Sequence, residues 1–425
     1  MDSRSPLRGL AALTFAMALS QFFRSCLAVM APELQADLAL SPAGFGTLSS
    51  SFFLAFGLAQ IPVGMAFDRF GVGAPTRVLM LLGVASAALF VFAPDGLTAM
   101  LAQAGLGLAC APIFMGLMHF ASEQLPPQRY AAFVSRANAV GMLGALCATA
   151  PLGWAVHAVG WRPAIAVAAL CMAFACAAVW RNVRDHGHAE ARQESPLVML
   201  RASLALLGRP ALWTLIPMCM AMAAGTTFRN AWGGPYLASV FGLQAAPRGL
   251  ALALLSLGAF CSAMALPWLV VRHSMRTTVL GWSCFSLAAG VALAFFPSAG
   301  LWPDLGLLTM LATLGVLHPL VMGHGRSLLD PAMRGRGLGL LNTFVFLGSA
   351  ITAWAFGQIA DAGVHAGTPA TEVYMRIFAL AAAMALVGVI SYLLSPAMEA
   401  VAPRRTSAAA AQARGAERGG QEAPE

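Results

Sequence analysis

The chain has 425 residues, 59% of them apolar and only 10% charged, with a mean hydropathy of +0.75. Soluble proteins carry roughly 25% charged residues, so this composition excludes an ordinary soluble enzyme, a disordered chain and a disulfide scaffold. The formal net charge of +8 would suit nucleic acid, but all 25 cations are Arg and their positions follow topology, so no nucleic-acid partner is expected.

A membrane-spanning helix needs about 20 apolar residues. Suitable windows, bounded by Pro, Gly or charge, fall at 10–32, 44–67, 75–93, 97–121, 132–156 and 162–181. They resume at 210–232, 247–271, 277–297, 303–323, 337–359 and 373–395. Numbered in this order, they predict an all-α membrane protein of twelve helices. The first window follows Arg4 and Arg8 as a signal peptide would. Its apolar run continues to Phe23, however, and the later small-residue site Val29-Met30-Ala31 is followed by Pro32. Helix 1 is therefore read as uncleaved.

The expected organisation is an N-terminal six-helix bundle (1–181), a cytoplasmic linker (182–209) and a C-terminal six-helix bundle (210–397). A disordered cytoplasmic tail (398–425), rich in Ala, Arg, Gly and Glu, would follow. With a cytoplasmic N-terminus, only Arg24, Arg162, Arg229, Arg248 and Arg376 fall outside cytoplasmic segments, which satisfies the positive-inside rule. Both termini are then cytoplasmic. The halves echo one another. At an offset of 204, Pro127, Asn138, Leu143, Gly144, Gly153 and Ala158 match Pro331, Asn342, Leu347, Gly348, Gly357 and Ala362. Two pseudo-symmetric six-helix bundles around a central cavity form a transporter plan.

Between helices 2 and 3 the sequence reads Gly64-Met65-Ala66-Phe67-Asp68-Arg69-Phe70-Gly71. Gly64 permits close helix approach, and Asp68 can face the positive end of another helix. The stretch resembles the G-x-x-x-D-R-x-G loop of the major facilitator superfamily. By that resemblance Gly64, Asp68, Arg69 and Gly71 form a conformational latch against helix 11 when the cavity opens outward. The family's usual basic pair after Gly71 is replaced here by Val72 and Gly73.

Arg24 lies inside helix 1, where a charge costs roughly 2.5–3.5 kcal/mol in lipid. No acidic residue occupies the middle of any predicted helix, and Ser20 and Gln21 lie one turn earlier on the same face, so this polar stripe should turn inward. Arg24 through Pro32 resembles helix 1 of organophosphate antiporters and organic-anion symporters, in which an Arg about eight residues before a Pro binds the substrate's anionic group. Arg229 on helix 7 is the expected partner, with Thr226 one turn below and Asn230 beside it; Trp232, Pro235 and Tyr236 should mark the membrane interface. Helix 1 has Phe23 where many organic-anion symporters carry a carboxylate, and Gln103 on helix 4 stands where many have an Arg. His318 on helix 10 is the best-placed group for proton coupling.

The eight cysteines lie in apolar runs without metal-ligand spacing and are expected to be small buried hydrophobes in helix interfaces. No nucleophile elbow, phosphate-binding loop or heme signature appears, so no enzyme activity, cofactor or metal is expected. The resemblance implies a monomeric secondary transporter of the bacterial inner membrane, surrounded by lipid. Its cargo would be a small organic anion (a carboxylate, phosphate ester or sulfonate), with a coupling proton or an exchanged anion. Met-rich helices leave efflux of hydrophobic drugs open, and a transporter-like membrane sensor is the third reading.

Overall fold

The computed structural model describes residues 4–183, 196–330 and 333–396. Met1–Ser395 make one compact unit; the second, Pro396–Glu425, lies outside the described residues apart from Pro396, and with it the expected disorder of 398–425. Residues 184–195 of the expected linker are likewise outside them; the part that follows forms a helix, Pro196–Ala205, and a short 3-10 turn.

Among the described residues eleven helices are long and apolar enough to cross a membrane, and a pair bent by 52° supplies the twelfth. That pair is α1, Leu7–Ser25 continued by Leu27–Asp37. The first half continues with α2 (Pro42–Phe70), α3 (Gly73–Val91), α4 (Gly96–Gln124), α5 (Gln128–Val159) and α6 (Trp161–Asn182). The second half comprises α7 (Pro210–Phe241), α8 (Ala245–Arg272), α9 (Met275–Phe295), α10 (Leu301–Ser327), α11 (Arg334–His365) and α12 (Ala370–Leu393). Local chemistry sets the ends. Ser41 caps α2 by accepting from the Gly44 N–H, with Pro42 in the first turn, and Asp95 caps α4 by accepting from Thr98. That bond holds the Asp95 carboxyl below the usual aspartate range. Gly71, at φ 75°, closes α2 in a backbone conformation that side chains disfavour.

The halves repeat one packing scheme. α1 packs on α5 and α6, α2 on α4, and α3 on α4 and α6; adding six to each label gives the packing of the second half. Across the halves α2 lies on α11, α8 on α5 and α1 on α7. The near face carries the start of α1 and the α2–α3 loop, and the far face lies opposite. Bonds joining the halves run from the midplane to the far face, which is closed.

Proline shapes the helices that meet there. Pro32 cannot bond the Ala28 carbonyl one turn back. Instead that oxygen sits against Gly234 of α7, where a Cβ would overlap it. Pro235 acts likewise on Ala231, and α7 relaxes into a π-helical turn at Phe228–Trp232. In α10 a 3-10 stretch, Thr313–Leu317, precedes His318 and Pro319.

Three expectations need correction. The seventh helix extends to Phe241 rather than stopping near Trp232, so Arg229 is well inside the span. Trp232 and Tyr236 are buried in protein, at 2% and 0% exposure, instead of marking an interface. Cys147, Cys261 and Cys284 are exposed, whereas the other five are buried or partly so.

Candidate functional site

Five arginines stand outside the positive-inside pattern, and the structure divides them. Arg162 pairs with Asp37 at 2.9 Å, Arg248 with Glu33 at 2.6 Å and Arg376 with Glu372 at 2.6 Å. Among the described residues Arg24 and Arg229 have no carboxylate partner, and the Nε of each is shut off from solvent without a hydrogen-bond acceptor. A buried cation is costly unless it is paired. These two have only each other's repulsion and the neighbouring rings.

The Arg24 guanidinium lies against a touching pair of rings, Phe56 of α2 and Phe346 of α11, at 4.8 and 5.1 Å from their centroids, which are 4.2 Å apart. Such contacts stabilise a cation by about 0.5–2 kcal/mol, but satisfy none of its hydrogen-bond donors. Arg229 sits in the π turn of α7, close enough for its charge to act on Arg24. Beside them Ser25 Oγ donates to Asn230 Oδ1 at 3.2 Å, joining α1 to α7. Trp232 Nε1 is another buried donor with no acceptor. Unsatisfied donors outnumber acceptors around this point of α7.

On the α10 side, His318 Nε2 is 3.0 Å from Asn342 Oδ1, Asn342 Nδ2 donates to Gln60 Oε1 at 2.9 Å, and Gln60 Nε2 donates to the Phe56 carbonyl at 3.3 Å. The Asn342 oxygen is then an acceptor, which makes His318 Nε2 a donor. The chain of amides links α10, α11 and α2 across the halves and ends at the residue that stacks on Arg24.

The remaining candidates fall as follows. Gln21 is half-buried, one turn from Arg24, and makes no hydrogen bond among the described residues. Thr226 spends its hydroxyl proton on the Met222 carbonyl at 3.0 Å and packs against Gly315 of α10. Asp68 is exposed on the near face, with neither a hydrogen bond nor an ion pair among the described residues. Arg69 stacks on Phe70 at 5.2 Å, and a Cβ on Gly64 would meet only the Met115 sulfur, at 4.0 Å. Gln103 is fully buried with both amide atoms unpaired. Sequence reasoning missed Gln60, Phe56 and Phe346. Asn342 it met only as a match in the half-repeat. A separate groove of about 820 Å³, lined by apolar side chains of α2, α3 and α4 such as Leu54, Leu58 and Val78, contains neither arginine and suits acyl chains better than an anion.

Fold and site together define a multi-pass membrane protein of two related six-helix halves with unpaired cations between them. The chain belongs to the Major Facilitator Superfamily, whose family model matches residues 13–353. It is 28% identical over 148 residues to a protein of Escherichia coli (strain K12) named as the probable galactarate/D-glucarate transporter GudP, a match covering 32% of each chain. It is 24% identical over 422 residues to the membrane sensor protein UhpC of Salmonella typhimurium (strain LT2), covering 92% of this chain and 90% of that one. Among solved structures, a point mutant of the nucleoside transporter NupG superposes with a TM-score of 0.72 at 12% identity, over 90% of this chain and 99% of that one. A bacterial homologue of the lysosomal transporter Spinster, inward-facing and occupied, gives 0.70 at 15% identity, over 91% and 96%. At these identities the two structures share the fold alone.

Proposed function

We propose that the protein is a secondary transporter that carries a small organic anion across the bacterial inner membrane by alternating access, as a monomer with both termini cytoplasmic. The observation that carries this reading is the pair Arg24 and Arg229, half-buried between the halves, each with its Nε shut off from solvent and no carboxylate partner among the described residues. An anionic substrate supplies the missing partner through charge-assisted hydrogen bonds. Arg24 and Arg229 hold the anionic group, Asn230 and Gln21 meet neutral polar parts of the substrate, and Thr226 offers a hydroxyl oxygen. His318, through Asn342 and Gln60, adds a proton-sensitive contact to the same site. The moving bodies are residues 1–181 and 210–397, joined by 182–209. With the near face cytoplasmic, as the Arg distribution favours, this state is closed to the outside and the Asp68 latch is released. The relatives include proteins named as a probable galactarate/D-glucarate transporter and a hexuronate transporter, in keeping with anionic cargo.

The long match to a membrane sensor favours a second reading, binding without flux. Proteoliposomes decide. Uptake of a carboxylate, phosphate ester or sulfonate supports the transporter, saturable binding without uptake supports the sensor, and flux of hydrophobic cations alone restores the drug-efflux alternative.

A further inference from the structure

Asp304, in the first turn of α10, is 1% exposed. Its Oδ2 lies 2.5 Å from the Tyr236 hydroxyl, and that hydroxyl lies 2.7 Å from the Pro297 carbonyl oxygen. Tyr236 has one hydroxyl hydrogen for two oxygens, and both contacts can be hydrogen bonds only if the carboxyl carries a hydrogen of its own. In that arrangement the Pro297 carbonyl, which can only accept, takes the phenolic hydrogen, and the carboxyl donates to the Tyr236 oxygen. The Ala299 amide approaches the carboxyl, yet Asp304 Oδ1 stays buried without a hydrogen bond, which a neutral acid tolerates and a carboxylate does not.

The surroundings give this carboxyl no cation. Tyr236 of α7 faces it, and Tyr374 of α12 meets Tyr236 edge-on at 4.9 Å. Arg248 of α8 is committed to Glu33 and to the Val29 and Leu243 carbonyls. Among the described residues no charged side chain bonds to Asp304. The segment of α7 that bears Tyr236, Gly233–Phe241, is also the one packed on the far piece of α1, so opening the far face uncovers it.

We propose that Asp304 is a proton-binding site linked to the far gate. It is neutral while the far face is closed, and it loses its proton from Oδ2 to water when α7 parts from α1. This rests on alternating access but on no particular substrate. Closure then takes up one proton, and the closed-to-open ratio rises up to tenfold per unit fall in pH.

Two measurements on the full-length protein test it. Infrared spectroscopy at pH 7 should show a protonated-carboxyl band that is absent in Asp304→Asn and displaced in Tyr236→Phe, which removes the hydrogen-bond partner while keeping the acid. Ala43→Cys at the far seam, labelled by an impermeant maleimide and compared with protein lacking that cysteine, should become less reactive as pH falls. In Asp304→Asn, which mimics the neutral acid, it should stay poorly reactive throughout. Absence of the band, or an unchanged pH response in Asp304→Asn, overturns the proposal. Loss of anion binding in Arg24 variants leaves both readouts intact, so a failure here is distinct from a failure of the transport reading.

Discussion

Gly46 of α2 and Gly357 of α11 meet backbone to backbone: a Cβ on Gly46 would stand 2.7 Å from the Gly357 Cα. Their counterparts by the half-repeat, Gly249 of α8 and Gly153 of α5, cross in the same way, with a Cβ on Gly249 3.0 Å from the Gly153 Cα. The far seam is thus closed at two related points where no side chain fits. Gly46→Val or Gly357→Val should disfavour the closed state by about 1–3 kcal/mol, the usual cost of overpacking. The protein should then favour a state open at the far face, read as faster labelling of a far-seam cysteine with slower turnover. Unchanged labelling would show that the seam gives way cheaply.

Arg248 spans the same seam from α8, with its NH2 group bonded to both Glu33 oxygens at 2.7 and 2.6 Å and Nε donating to the Val29 carbonyl at 2.8 Å. At 2% exposure it is a desolvated partner, and removing one side of such a pair costs about 3–5 kcal/mol. Arg248→Ala should lower the Tm of the closed form and raise far-face accessibility. Arg248→Lys should recover only part of the loss, since a lysine cannot reproduce the forked contact. Equal Tm values for the wild type and Arg248→Ala would remove the pair from the gate.

How much of this was legible in the sequence follows from the range of each signal. Arg24 announces itself, because a charge inside an apolar run needs an inward face. The helix count follows from window length alone. The end of α7 was misread because Gly233-Gly234-Pro235 looks like a helix stop. In the fold Gly234 admits the Ala28 carbonyl, and Pro235 is absorbed by a π turn. Gln60 and Asn342 are 282 residues apart, and neither polar residue alone reveals the other. Asp304 escaped notice because it sits at a helix start, where an acidic residue is an ordinary helix-end feature.

Asp68 is unengaged while the far face is closed. A latch that forms in the opposite state contributes nothing here, so Asp68→Asn should leave this state's stability unchanged. It should weaken the far-open state by about 0.3–2 kcal/mol, the range of a helix-end contact. The expected result is slower transport with near-normal substrate affinity and a shift toward near-face accessibility. Wild-type turnover together with unchanged accessibility on both faces would exclude the latch.

A proton on His318 would add a third positive charge to the site, within range of Arg24. An empty site resists that charge and a bound anion welcomes it, so protonation and anion binding should reinforce one another. Affinity should rise as pH falls and His318 takes up a proton. His318→Gln keeps a donor for Asn342 Oδ1 and should flatten this dependence between about pH 5 and 8. A pH profile identical to the wild type would leave His318 as a structural link between α10 and α11.

The pairing pattern of the five arginines leads to the last prediction. Arg162, Arg248 and Arg376 each have a carboxylate, and Arg24 and Arg229 have none among the described residues. If a substrate anion completes the site, removing Arg24 takes away one side of a buried charged contact, worth about 2–5 kcal/mol of binding. Arg24→Ala and Arg24→Lys should both abolish measurable uptake, the second because a lysine offers a point charge where a planar fork is needed. Arg229→Ala should be comparably severe, since its Nε is buried inside the span instead of reaching the membrane surface. Neither alanine variant should unfold the protein, because holding a half-buried cation without a counter-charge destabilises it, and ligand-free Tm should hold or rise. The ligand-induced Tm increase should vanish in both. Wild-type affinity in folded Arg24→Ala would overturn the anion site and return the hydrophobic-cargo reading to first place.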